Sequence, residues 1–108
     1  MDIQKYDSPA NDGIIYEFNK KDKLVGGAKI EIKDDCLYLK ALYIKPEFRQ
    51  KKYGSFILKH IEEDNKDSIS RIECKLLLFS NVGFENIVRF YEENGFTFNI
   101  FTMEKILK

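Results

Sequence analysis

Tryptophan is absent from this 108-residue chain, and only two cysteines, two prolines and one histidine occur in it. Each scarcity excludes something. Cys36 and Cys74 form no Cys-x-x-Cys pair and have no histidine beside them, so neither a zinc site nor a dithiol redox motif is suggested. Both fall in segments expected to be strands, where a cysteine acts as a small buried apolar side chain. His60 stands alone in a helical segment, a surface or boundary residue rather than a metal ligand. Net charge is lacking too: 18 basic and 18 acidic side chains cancel, which removes the overall field that holds proteins on nucleic acid or an anionic membrane. The longest apolar run, Leu76 to Phe79, is far below the roughly 20 residues that span a bilayer, and the N-terminal residues contain no apolar signal segment. These absences point to a cytoplasmic protein that holds any anion locally, with no metal and no direct nucleic-acid or membrane partner.

What is present is a globular composition, 44% hydrophobic and 14% aromatic, sufficient for one domain over residues 1–108 and too short for two. Residues 1–13 form a short lead ending at Gly13. Ile14 to Asn19 is expected to be the first strand, rich in β-branched and aromatic residues. After the turn "NKKDK", Ala28, Ile30 and Ile32 alternate with Lys29, Glu31 and Lys33, the period of a half-buried strand. Asp34 and Asp35 turn the chain again into "CLYLKALYI", Cys36 to Ile44, apolar at nearly every position and expected to be a central strand covered on both faces. Tyr53, Phe56, Ile57 and Ile61 then recur at helical spacing, followed by a strand over Arg71 to Phe79. Phe84, Ile87, Val88 and Tyr91 mark a second helix stopped by Asn94 and Gly95, and one or two strands follow. Strand, helix, strand in the middle implies a parallel pair. The fold class is therefore α+β: a mixed, mainly antiparallel sheet with a central parallel pair, flanked by two main helices.

The loop "IKPEFRQKKYGS", residues 44–55, leaves the central strand at the carboxyl end of that pair and opens a helix. Ligands of α/β proteins tend to sit at such a place, and a helix N-terminus offers unpaired N–H groups and positive dipole to a phosphate. Pro46 stiffens the exit, Gly54 removes a side chain where ligand and backbone could meet, and Arg49, Lys51 and Lys52 supply charge. A solvated basic turn would read the same way, and a second segment separates the two: in "VRFYEENGFTF" a tyrosine on the inner helix face precedes Gly-Phe by four residues.

"LYIKPEFRQKKYGSFIL" resembles the acetyl-CoA signature of the GNAT superfamily of N-acetyltransferases, and "FYEENGF" resembles that family's second motif. The resemblance spans residues 24–98 in the family's order. It implies an acetyl-CoA-dependent N-acetyltransferase acting on a primary amine by direct attack. The acceptor would be a small molecule or a protein lysine or N-terminus. By position it implies that the amides of Gln50, Lys51, Lys52, Tyr53, Gly54 and Ser55 hold the pyrophosphate of CoA. Arg49 matches the first residue of the signature, and Lys51 or Lys52 would add a charge-assisted contact. The backbone of Leu42, Tyr43 and Ile44 would pair with the pantetheine arm. Tyr91 matches the tyrosine that gives a proton to the departing thiolate. Asn81 and Asn86 stand near the place of an asparagine that touches the cofactor arm, and Glu73 is the candidate general base.

Two departures from the family pattern stand out. Lys52 occupies the place of the signature's first glycine, where a side chain could crowd the phosphate, although a helix-like φ needs no glycine. "NKKDK" leaves no room for the two helices that many members place between their first two strands, so the acceptor groove is expected to be open there. Such a groove suits a protein or peptide amine, a site completed by a partner, or a small, poorly enclosed substrate, and exposed edge strands could be covered in a homodimer. A CoA-binding or protein-interaction module without catalysis is the second reading, and an unrelated ferredoxin-like α+β domain the third.

Overall fold

The computed structural model describes residues 1–49, 51–75, 84–99 and 102–107. Seven strands and two helices follow in the order β1 (Asp2–Asp7), β2 (Ile14–Lys20), β3 (Lys23–Lys33), β4 (Cys36–Ile44), α1 (Tyr53–Asn65), β5 (Arg71–Lys75), α2 (Phe84–Glu93), β6 (Thr97–Asn99) and β7 (Thr102–Ile106). They form one sheet of order β1-β2-β3-β4-β5-β7-β6. Every neighbouring pair is antiparallel except β4 and β5, the expected parallel pair. The strand expected over Arg71 to Phe79 is present through Lys75, and its remainder lies outside the described residues.

Two hairpins set the first half. Lys21 and Asp22 join β2 to β3, and Asp34 and Asp35 join β3 to β4, all four with φ between 51 and 65°. Consecutive left-handed residues match the right-handed twist of paired strands, which is why two-residue connections use them. A strand not anticipated from the sequence lies within the lead: β1 pairs along its whole length with β2. Its residues, DIQKYD, alternate weakly because an edge strand exposes most of its side chains. The connection without room for two helices is therefore Ser8 to Gly13, between β1 and β2, while "NKKDK" is a hairpin further on.

Both helices pack on one face of the sheet. Tyr16, Phe18, Ala28, Ile30, Leu37, Leu39, Ile72, Cys74 and Met103 meet Ile57, Leu58 and Ile61 of α1 and Tyr91 of α2 in a single cluster. The opposite face is polar and partly open, with Lys29 paired to Asp12 at 2.7 Å, Lys40 to Glu31 at 3.2 Å and Arg71 to Glu73 at 3.2 Å. The expectation that β4 is covered on both faces is thus corrected: Lys40, Ala41 and Tyr43 are exposed, Tyr43 by 50%. A bulge is the reason. Ile30 opposes Leu39 and Lys29 opposes Ala41, leaving Lys40 as an extra residue. The insertion changes the phase of the strand, so Leu37 and Leu39 before it and Leu42 and Ile44 after it all face the helices. An apolar residue at almost every position is one covered face with its alternation shifted by one.

The helix face is tied to the sheet by a small polar cluster. Tyr16, fully buried, donates its hydroxyl to Asp64 Oδ2 at 2.6 Å and accepts from Asn65 Nδ2 at 3.0 Å. Lys5 of β1 reaches the same carboxylate oxygen at 3.0 Å. The bond from Tyr16, then that from Lys5, holds Asp64 below the ordinary carboxylate value. Phe56, expected on the inner face of α1, is 46% exposed and leans edge-on against Phe18, while Asn65 takes a buried position.

Tyr16→Phe is expected to lower the unfolding free energy by about 1 kcal/mol at neutral pH, a low figure for a charged acceptor because Asp64 is partly hydrated. A carboxylate with a depressed folded value stabilises fully above its unfolded value and loses that contribution as the pH falls through the folded one. In urea titrations the gap between wild type and Tyr16→Phe should therefore narrow below about pH 4. A constant gap down to about pH 2 would assign the effect to ring packing instead.

Candidate functional site

The site begins at the carboxyl end of the β4–β5 pair. Among the described residues their pairing runs from Cys36 with Arg71 to Leu39 with Cys74, and Lys75 pairs with Thr102 of β7; residues 76–83 lie outside the described ones. The Lys40 bulge bends β4 at this rung. Leu42, Tyr43 and Ile44, the expected pantetheine platform, keep Ala28, Gly27 and Gly26 of β3 on one side. The Ile44 carbonyl accepts a hydrogen bond from Arg49, which turns back so that its Nε donates at 3.0 Å, with its guanidinium 5.9 Å from the Tyr43 ring centre.

Beyond Ile44 the chain is held by Lys45 N–H bonding to the Val25 carbonyl at 2.9 Å, then makes a short 3-10 turn over Pro46–Phe48. Proline suits the first position of such a turn because no N–H is needed there. Gln50 lies outside the described residues. Lys52 precedes α1 with φ 63° and ψ 16°, a left-handed conformation, and no side chain caps the helix. The helix-like φ that would need no glycine is not the one found: the backbone here has the shape for which glycine is favoured, and lysine bears the strain. Its carbonyl accepts from Phe56 N–H at 3.1 Å, leaving the amides of Tyr53, Gly54 and Ser55 as the uncapped first turn. Lys51 and Lys52 are exposed.

Three side chains tie this turn to its surroundings. The Tyr53 hydroxyl accepts from Lys20 Nζ at 3.0 Å, so the β2–β3 hairpin reaches the start of α1. The Ser55 hydroxyl accepts from Asn94 Nδ2 at 3.1 Å, joining that start to the end of α2. Gly54 faces α2 as well: a Cβ there would lie 3.0 Å from Phe90 Cζ. The glycine thus also serves the close approach of the two helices, since a side chain there would press on the Phe90 ring. Neither Lys20 nor Asn94 is marked in the sequence by more than its place in a turn or at a helix stop.

Tyr91 is set by the way α2 ends. Gly95, with φ 88°, takes the left-handed position, Gly95 N–H bonds to the Glu92 carbonyl at 3.0 Å and Phe96 N–H to the Tyr91 carbonyl at 3.0 Å. This is a Schellman motif, and its usual apolar contact is the Tyr91–Phe96 ring pair with centres 5.3 Å apart. The spacing of tyrosine, glycine and phenylalanine in "YEENGF" is that of a helix stop which also aims the tyrosine at the sheet. Tyr91 is buried and its hydroxyl oxygen accepts from the Cys74 thiol at 3.3 Å. Burial, with Cys74 beside it, pushes the phenol well above its ordinary value.

The remaining candidates are dispersed. Asn86 is exposed in the first turn of α2, and Asn81 lies outside the described residues. Glu73 sits on the other face of β5 from Cys74, paired with Arg71 at 3.2 Å and 3.5 Å from the Cys36 thiol. Both cysteines are buried thiols outside any disulfide, as expected. A cavity of about 360 Å³ between α1, the end of α2 and β7, lined by Leu58, Glu62, Ile72, Phe96 and Lys105, contains none of the residues expected to touch a cofactor.

Lys52→Gly should raise stability by about 0.5–1 kcal/mol, since relief of left-handed strain outweighs the added freedom of the unfolded chain. Thermal or urea unfolding of the two proteins measures it. A destabilised Lys52→Gly would mean that the lysine side chain, rather than the backbone shape, is what the turn needs.

Comparison with known proteins places this geometry. A family model described as an acetyltransferase (GNAT) domain matches residues 11–98. The fold is similar to that of PaiA N-acetyltransferase from Thermoplasma acidophilum in complex with coenzyme A, at 28% identity and a TM-score of 0.73 over 85% of this chain and 59% of that one. It is similar also to a GNAT family acetyltransferase from Elizabethkingia anophelis with acetyl-CoA bound, at 11% identity and a TM-score of 0.79 over 91% and 78% of the two chains. The ribosomal-protein-S18-alanine N-acetyltransferase of Escherichia coli aligns at 13% identity and a TM-score of 0.75 over 87% and 68%. No curated protein sequence matches significantly. The chain spans less than two thirds of the Thermoplasma enzyme, and the two lower identities speak to the fold alone. With the family model covering most of its length, the chain belongs to the GNAT acetyltransferase family.

Proposed function

We propose that the protein is a cytoplasmic N-acetyltransferase that moves the acetyl group of acetyl-CoA to a primary amine by direct attack. One observation carries this reading: the uncapped amides of the first turn of α1, beside the exposed Lys51 and Lys52, in a chain of the GNAT acetyltransferase family. Leu42, Tyr43 and Ile44 would pair with the pantetheine arm, and the amides of Tyr53, Gly54 and Ser55, with those of Gln50, Lys51 and Lys52, would hold the pyrophosphate. Arg49 and the exposed ammonium groups of Lys51 and Lys52 add charge at that end. Asn86 lies at the start of α2 as a further contact for the arm.

In the reaction the amine nitrogen bonds to the thioester carbonyl carbon, the carbon–sulfur bond breaks, and the thiolate takes a proton. Tyr91 is the candidate donor. Its raised proton affinity keeps it a phenol throughout the physiological range, so the proton is present when the sulfur leaves, at the cost of a weaker acid. The amine's own proton passes to water, since Glu73 is engaged by Arg71 on the opposite face. The six-residue connection Ser8–Gly13 and the open polar face leave the acceptor side unwalled. Such a side suits an amine carried on a protein, whether lysine or N-terminus, or a small molecule, and a second subunit could complete it.

A non-catalytic CoA-binding or interaction module is the second reading, favoured by the burial of Tyr91 against Cys74 and by the engagement of Glu73 with Arg71.

Purified protein incubated with acetyl-CoA and a panel of amines is expected to release free thiol only when an amine is present. Tyr91→Phe should lower kcat roughly 100-fold with the KM for acetyl-CoA little changed. Thiol release unaffected by Tyr91→Phe would remove the tyrosine from the mechanism. CoA retained in native mass spectra without turnover on any amine would select the binding module.

A further inference from the structure

The hairpin that joins β2 to β3 is basic, and the chemistry above makes no use of its charge. Lys20, Lys21 and Lys23 are all exposed, and the sheet carries them to the end where α1 begins. Gly26 of β3 pairs with Ile44 of β4, and Lys45 N–H bonds to the Val25 carbonyl at 2.9 Å, so the start of β3 lies against the loop that leaves β4. Lys20 is fixed in place there. Its Nζ donates to the Tyr53 hydroxyl at 3.0 Å and stands 5.7 Å from the Tyr53 ring centre, while Phe48 braces that ring edge-on with centres 5.8 Å apart. Tyr53 opens α1 and carries one of its uncapped amides, so the ammonium is tied to the first turn of that helix. An ammonium has three hydrogens, and Tyr53 takes one.

The charge at this end is not neutralised. Lys20 stands directly opposite Lys23 across the two strands, a like-charge pair that is unfavourable without an anion nearby. Among the described residues the ion pairs engage Lys5, Lys29, Lys40, Lys66, Arg71 and Lys105. None of them engages the hairpin lysines or the exposed Arg49, Lys51 and Lys52 of the facing loop, and the acidic side chains within these two segments are Asp22 and Glu47 alone. The zero net charge of the chain therefore averages over a molecule with a surplus of cations around the start of α1.

CoA matches that surplus better than a pyrophosphate does. Beyond its pyrophosphate it carries a phosphomonoester on the 3′ oxygen of the ribose, roughly two further negative charges at neutral pH. We propose that the β2–β3 hairpin, through Lys20 and Lys23, takes the 3′-phosphate of CoA and so selects CoA over its 3′-dephospho form. This rests on the use of acetyl-CoA proposed above. The hairpin adds affinity and selectivity for the nucleotide half of the cosubstrate and takes no part in the transfer.

Isothermal titration calorimetry of the full chain with CoA and with 3′-dephospho-CoA tests it. Wild type should bind CoA roughly tenfold more tightly than dephospho-CoA. In Lys20→Gln/Lys23→Gln that preference should fall to about twofold or less, with affinity for dephospho-CoA changed by less than about threefold. Lys33→Gln/Lys66→Gln removes the same charge at the other end of β3 and of α1 and should keep the preference, as should Lys20→Arg/Lys23→Arg, which keeps the charge on the hairpin. Equal binding of the two ligands by wild type, a preference that survives Lys20→Gln/Lys23→Gln, or one lost equally in Lys33→Gln/Lys66→Gln overturns the hairpin's role and leaves acetyl transfer intact. A preference lost in Lys20→Arg/Lys23→Arg as well would assign the effect to the shape of the turn and overturn it too. Wild-type protein that binds neither ligand at millimolar concentration overturns the use of CoA and the hairpin's role together.

Discussion

Strand β4 divides its backbone between two neighbours, and the candidate site follows from that division. Through Leu39 it bonds β3 on one side and β5 on the other. At Lys40 an extra residue enters, the strand bends, and the β3 ladder continues beyond it. The bulge keeps Leu42 and Ile44 in the core beneath the helices while leaving Ala41 and Tyr43 exposed. A strand without the insertion would turn Ala41 and Tyr43 toward the core, and the packing that supports α1 would lose its apolar partners.

The start of α1 and the end of α2 are then drawn together at the end of β4 by contacts that are individually small. Gly54 allows Phe90 to approach α1, Asn94 bonds Ser55, and Lys20 bonds Tyr53. Each surface contact of this kind contributes little to stability. Together they locate the first turn of α1 relative to the last turn of α2, and they leave the amides of that first turn uncapped. The left-handed Lys52 is the strained link in this arrangement. A glycine would adopt its φ freely, and lysine places an exposed cation beside those amides instead. Tyr91 depends on a different device, the Schellman end of α2, which points the ring inward as a by-product of stopping the helix.

How much of this was legible varied with whether neighbours in sequence were also neighbours in space. The α+β class, the parallel pair and both helices followed from periodicity, because each element buries one face and the pattern of that face is local. The strand β1 was missed because an edge strand with a single neighbour needs no apolar alternation, and DIQKYD shows little. The bulge was visible as a change of phase from Leu37 and Leu39 to Leu42 and Ile44, yet a run apolar at nearly every position reads equally well as a strand covered on both faces. Gly54 illustrates the limit from the other side. A glycine at the start of a helix is compatible with ligand approach and with packing, and its packing role is seen only from the position of Phe90, 36 residues later.

The sequence by itself determined the order of elements from β2 through α2, the family to which the chain is similar and the residue types available for binding an anion and donating a proton, since all of these are written in local pattern and spacing. Tertiary structure alone decided which of those residues meet. It put Glu73 on the face away from Tyr91, set Cys74 against the phenol, moved the shortened connection to Ser8–Gly13 and gave Lys52 its left-handed backbone. The physical reason is that strand alternation assigns each side chain to a face only once register is known. Register here depends on one inserted residue at Lys40, whose effect is felt across strands distant in the chain.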